Sequence, residues 1–162
     1  MGKSKITLVL LVLLAACGGS SDSPTAPADV SPFEVESKST SLVNSTRSQE
    51  QISPLLTVDQ VLAEVARRHS EAMRDQGFFS HVAPDGSDLR SRLREAGVSF
   101  RTAGENLAQV QNSVDPAAHA HGLLMESSSH RENILSEKYD LLGVGVAKQG
   151  NTYWITQIFL EP

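Results

Sequence analysis

Two histidines and one glutamate, far apart in the chain, sit where a polar side chain can do chemistry. His81 lies in Gly77-Phe78-Phe79-Ser80-His81-Val82-Ala83-Pro84-Asp85-Gly86. The first glycine closes a long amphipathic segment, and Pro-Asp-Gly is a strong turn signal. An imidazole on a loop braced at both ends is a usual setting for a binding or catalytic group. Glu105 stands in Gly104-Glu105-Asn106 with apolar residues directly after it. A carboxylate entering a core needs a partner; a surface salt bridge or a local cap is the other reading. His130 follows Ser127-Ser128-Ser129. A Ser-His nucleophile pair is not supported there, because sequence neighbours rarely have the required geometry and no Gly-x-Ser-x-Gly elbow is present.

The elements that must position these residues are legible in part. Thr57, with Gln60 three residues on, has a capping-box pattern. Val58, Val61, Leu62, Val65, Ala66, Ala72 and Met73 then recur at helical spacing, and Gly77 ends the helix. His69 falls on its apolar face, either as a core histidine with a local hydrogen bond or as a support beneath the His81 loop. A second helix is expected from Ser87 to Ala96, with Leu89, Leu93 and Ala96 inward and Arg90, Arg92 and Arg94 on a solvated face. Asp115-Pro116 starts a third helix, which runs to about Glu126. His121 shares its apolar face, and a partly buried structural role is expected. Leu141–Ala147 and Thr152–Leu160 read as strands joined at Gln149-Gly150-Asn151, and Ile134-Leu135 as a short third strand. Helices on an antiparallel, hairpin-rich sheet make the fold class α+β, with helices on both sheet faces.

The chain before these elements is of another kind. Lys3 and Lys5 precede the apolar run Ile6–Leu14, about half of the ~20 residues that span a bilayer. Leu14-Ala15-Ala16-Cys17 closes it and resembles the lipobox of bacterial lipoproteins. That likeness implies a signal peptide over residues 1–16, cleavage before Cys17 and acylation of its thiol, hence a membrane anchor. Residues 17–41 are rich in Gly, Ser, Pro and Thr and read as a flexible tether, spanning about 25–30 Å on average. A short helical lead-in begins at Leu42. Cys17 is the only cysteine, so the domain expected over residues 42–162 rests on its apolar core. The formal charge is −5, and cleavage would remove two of the 14 basic residues and none of the 19 acidic ones, leaving −7. An acidic domain without a basic stripe fits neither nucleic acid nor an anionic lipid surface. A monomer is expected.

Six motifs occur in order: Asn44-x-x-Arg47; Gly77-Phe78-Phe79-Ser80-His81 with Pro84-Asp85-Gly86; Ala103-Gly104-Glu105-Asn106-Leu107-Ala108; Ser129-His130-Arg131-Glu132-Asn133-Ile134-Leu135; Gly143-Val144-Gly145-Val146; and Tyr153-Trp154-x-Thr156-Gln157. Together they resemble the CAP superfamily, also called the SCP domain, and most of all its cysteine-free bacterial members. The resemblance covers Leu42 to Phe159. It implies an α-β-α sandwich with a cleft carrying two histidines and two glutamates, which in several members binds a divalent metal such as zinc. Carried over by motif, His81, Glu105 and His130 form the cleft, with His81 and His130 as metal ligands. The fourth position departs from the family pattern: Leu124-Met125-Glu126-Ser127 places Ser127 where the acid would stand and Glu126 one residue off. His69, His121 and Glu126 would support the site from behind. A zinc ion held by two imidazoles and a carboxylate has an open position for water, whose pKa it lowers. The resemblance implies no generally accepted reaction. The expectation is therefore a lipid-anchored binding module of the bacterial cell envelope, at the outer membrane or cell surface, holding a sterol, a fatty acid or an envelope protein. A metal-dependent hydrolase of peptide or cell-wall bonds is the alternative. A structural envelope protein, whose polar cluster stabilises the fold, is the third reading.

Overall fold

The structure, a computed structural model, describes residues 29–162. The expected signal peptide, Cys17 and most of the expected tether lie outside the described residues.

Helix α1 spans Pro32–Gln49, so the stretch read as tether is helical from residue 32 onward. The start signal is local. The Ser31 hydroxyl accepts from the Glu34 N–H, the Glu34 carboxylate accepts from the Ser31 N–H, and Pro32 occupies the first turn, where an N–H has no helical partner. What holds the helix is tertiary: Val35, Glu36, Ser39 and Val43 are buried against the sheet and α4. Near its end, the Asn44 side chain bonds both backbone groups of Leu56, each at 2.9 Å. Arg47 is fully buried and donates to the carbonyls of Pro54, Ile134 and Ser136. The Asn-x-x-Arg motif thus fastens two distant loops to α1.

Thr57 and Val58 form β1, parallel to Leu141 and Leu142, and α2 runs Gln60–Gln76. The N-cap is Asp59, whose carboxylate accepts from the Leu62 N–H at 2.9 Å, rather than Thr57. The sheet claims the preceding backbone: the Thr57 N–H donates to Asp140 and the Asp59 N–H to Leu142. Val58 and Val61 are consequently exposed, while Leu62, Val65, Ala66, His69 and Met73 form the buried face. Gly77 ends the helix as expected, at φ +69°.

Helix α3 (Leu89–Glu95) is capped by Asp88 rather than Ser87. It is followed by β2 (Thr102–Gln111), α4 (Pro116–Glu126), α5 (Ser128–Leu135), β3 (Leu141–Gln149) and β4 (Thr152–Glu161). The late hairpin is β3–β4, turning through Gly150-Asn151. Ile134-Leu135 is the end of α5 and not a strand; Ile134 is buried there beneath α1 and β2.

The sheet order is β1-β3-β4-β2, antiparallel except for β1–β3. One core gathers Val43, Leu124, Ile134, Val144 and Phe159 under α1, α4 and α5. The other gathers Leu62, Val65, Leu93, Ile158 and Leu160 under α2 and α3. The result is the expected α-β-α sandwich. Helix α2 lies directly on β3: a Cβ at Gly145 would stand 1.9 Å from the Arg67 nitrogen, and one at Gly143 would stand 2.3 Å from the Leu62 carbonyl carbon.

Candidate functional site

Strand β2 carries Glu105 into a polar cluster between α3, the His81 loop and α5. The Glu105 side chain is only 4% exposed. Its Oε1 lies 2.8 Å from His81 Nδ1, and its Oε2 accepts from the Arg92 guanidinium at 2.5 Å. Both oxygens are therefore engaged. Arg92 also donates to the carbonyls of His81 (3.1 Å) and Ser87 (3.2 Å). One guanidinium thus ties α3 to the His81 loop and to the sheet, a charge-assisted arrangement of the strong kind.

Arg92 does not belong to a solvated face: its side chain is 10% exposed. The sequence held a signal for this. Leu89, Arg92, Leu93 and Ala96 follow the 3–4 spacing of one helix side, so Arg92 shares the inward face.

The His81 ring is 54% exposed and turns Nδ1 toward Glu105, leaving Nε2 on the solvent side. Behind it, His69 is buried and bonds the Ser80 carbonyl through Nε2 at 3.0 Å. A carbonyl only accepts, so Nε2 carries the proton and Nδ1 the lone pair. His69 Nδ1 and Arg92 Nε are both buried without a partner among the described residues. Burial pushes the His69 pKa down, and the Arg92 charge pushes it further. Both readings of His69 hold at once: it is a core residue, and it braces the peptide preceding His81.

His130 sits in the first turn of α5, half-buried, and its backbone carbonyl accepts from Asn106 Nδ2 at 3.1 Å. Asn106 is fully buried and also bonds Gln157 and Asn133, so a chain of amides fixes α5 to β2 and β4. Burial lowers the His130 pKa, and the His81 charge lowers it further. His81 and Glu105 are thus in contact beside β2, while His130 is tied to the same strand through its backbone and lines a separate depression.

The other expected supports do not join them. His121 bonds Thr46 of α1 through Nε2 at 2.8 Å, because its side of α4 packs on α1. Glu126 is exposed at the end of α4. Ser127 and Ser129 bond each other rather than the His130 ring.

Two depressions flank the cluster. A cavity of about 440 Å³ opens beside His81 and Glu105, walled by Leu89, Phe100 and Ala103 with Arg90 and Arg101 at hand. A groove of about 550 Å³ runs along β2 past His130. As a metal centre the cluster fits poorly. Among the described residues, no group of three His, Cys, Asp or Glu is close enough to hold an ion. Each Glu105 oxygen already holds one partner, and the guanidinium 2.5 Å from Oε2 opposes a second cation.

The geometry can be set beside known proteins. The family model "Cysteine-rich secretory protein family" matches residues 40–159. The Bacillus subtilis (strain 168) protein YkwD is 33% identical over 136 residues, covering 84% of this chain and 50% of YkwD. The membrane protein YlbC of the same organism is 43% identical over 103 residues, covering 64% of this chain and 28% of YlbC. The chain therefore spans half or less of these relatives. A crystal structure of an extracellular protein containing a SCP domain, from Bacillus anthracis, superposes with a TM-score of 0.70 at 34% identity, covering 82% of this chain and 44% of that one. With sequence and fold in agreement, the chain belongs to the CAP, or cysteine-rich secretory protein, family.

Proposed function

We propose that this CAP domain is an extracytoplasmic binding module, held at the bacterial envelope through a lipidated Cys17, and that it takes an apolar acid of the fatty-acid class beside His81 and Glu105. One observation carries the ligand class. Val82, Leu89, Phe100 and Ala103 give the cavity an apolar part, Arg90 and Arg101 line the same space, and the carboxylates on it are Asp88 and the Arg92-paired Glu105. Arg90 lies over the Phe100 ring at 5.5 Å and has no carboxylate partner among the described residues, whereas Arg101 already faces Glu161 at 3.5 Å. An apolar body with one anionic end suits such a site; a sterol leaves Arg90 unused. The location draws support from Leu14-Ala15-Ala16-Cys17 and from the Bacillus anthracis relative, which is an extracellular protein. Among the described residues, no helix is long and apolar enough to cross a membrane.

Lipid extracted from the purified chain, together with palmitate titration, tests this. Arg90→Ser with Arg101→Ser should weaken palmitate binding at least about tenfold, the scale of one or two charged hydrogen bonds. Arg94→Ser, an exposed arginine of the same helix, should leave it unchanged. No uptake at the solubility limit of palmitate would dispose of the proposal.

A further inference from the structure

Strand β2 ends the sheet order, so one of its edges has no neighbouring strand among the described residues. Which backbone groups point there follows from the pairing. The Asn112 N–H donates to the Asn151 carbonyl in the same register as β2–β4, so even-numbered residues of β2 bond toward β4. Strand β3 agrees: the Val146 N–H leaves the sheet for Glu36, which assigns even residues of β4 to β3 and odd ones to β2. The carbonyl of odd-numbered Glu105 duly faces outward, to Asn133 of α5. Past that point α5 no longer covers the edge. The N–H and C=O groups of Leu107, Gln109 and Gln111 face out of the sheet without a bonded partner among the described residues.

The groove of about 550 Å³ runs along these same residues. Phe79, 49% exposed, and Leu123, 45% exposed, form part of its lining. His130 also lines it. No Asp, Glu, Lys or Arg lines the groove, although the chain is formally −5. Nor does Leu107–Gln111 carry the lysine, proline or bulge with which edge strands exclude partners. The groove's only strong complement is therefore the alternating dipoles of a second backbone, with uncharged side chains in step. We propose that the β2 edge binds an extended, uncharged peptide segment by strand addition, bonding Leu107, Gln109 and Gln111 and packing apolar side chains of alternate positions against Phe79 and Leu123.

The probe is acetyl-Lys-Thr-Val-Thr-Val-Thr-Val-Lys-amide, with a twin N-methylated at every Thr and Val that keeps the side chains but loses the donors on both strand edges. Added to the full chain, the first peptide should slow amide exchange at Leu107, Gln109 and Gln111 at least about tenfold, with no change at the even-numbered neighbours. The N-methylated twin should have no effect. Gln109→Pro removes an outward N–H and no bond to β4, so it should weaken binding at least about tenfold in an otherwise folded protein. Equal protection by both peptides, or none at millimolar concentration, overturns the proposal. Protection that rises with protein concentration alone also overturns it, and gives the edge to a second copy of the chain.

Discussion

At the scale of single residues, the exchange of partners among Glu105, His81 and Arg92 governs the site. Arg92 brings a guanidinium cation into a nearly enclosed place, so Glu105 first of all keeps that charge from being buried alone. Glu105→Ala should lower unfolding stability by about 3–5 kcal/mol, the usual cost of stranding one member of a buried pair. Glu105→Gln, which keeps one acceptor toward Arg92, should lose less. Urea denaturation followed by circular dichroism measures both; a loss below about 1 kcal/mol for the alanine variant would mean that the pair is not structural. The same pairing bears on the hydrolase alternative. Both Glu105 oxygens hold a polar partner, one of them a guanidinium, and an adjacent cation makes a carboxylate a weaker base. His81→Ala and His130→Ala should accordingly leave peptide hydrolysis at background, and a hydrolytic activity that these variants abolish would reverse that reading.

At the scale of elements, fastening depends on points where backbone meets backbone or a buried cation. Gly145→Ala would force a methyl group onto the α2 backbone, 1.9 Å from the Arg67 nitrogen. No side-chain rotation relieves that contact, so α2 must lift from β3, and the loss should reach at least about 3 kcal/mol. Helix α1 offers a milder test of its own start. Ser31→Ala removes one half of the capping box and should cost about 1 kcal/mol, visible as a lower midpoint in thermal unfolding. No change would mean that packing at Val35 and Val43, rather than the cap, sets the helix boundary.

At the scale of the whole molecule, acid should loosen the fold. His69, His121 and His130 all have pKa values lowered by burial, on three different helices. In the unfolded chain each takes a proton near pH 6.5. In the folded chain each resists it, so below that pH the unfolded state binds more protons and stability falls. The stability these groups contribute is present above about pH 6.5 and is lost as pH drops toward 5. The urea midpoint should therefore decrease between pH 7.5 and pH 5, and His69→Gln should flatten the slope. A midpoint unchanged over that range would contradict the burial of neutral imidazoles.

Sequence by itself determined whatever rests on local geometry and periodicity. The buried face of α2, its stop at Gly77, the Asp115-Pro116 start of α4 and the β3–β4 hairpin were readable because each repeats or punctuates within a few residues. Motif order also marked out His81, Glu105 and His130. The tertiary structure alone decided the rest. Strand β2 was not anticipated, because Thr102–Gln111 mixes polar and apolar residues and becomes a strand by bonding along β4, 50 residues later. The part of α1 before Leu42 looked like tether because Val35 is its one deeply buried apolar residue, and that burial exists only once the sheet is in place. Arg92 was read as a solvated charge, since a single helix cannot show that a carboxylate from a distant strand will meet it. Short-range signals fix where the chain turns and which face is apolar; which polar groups must pair is fixed only when remote segments are brought to the same enclosed place.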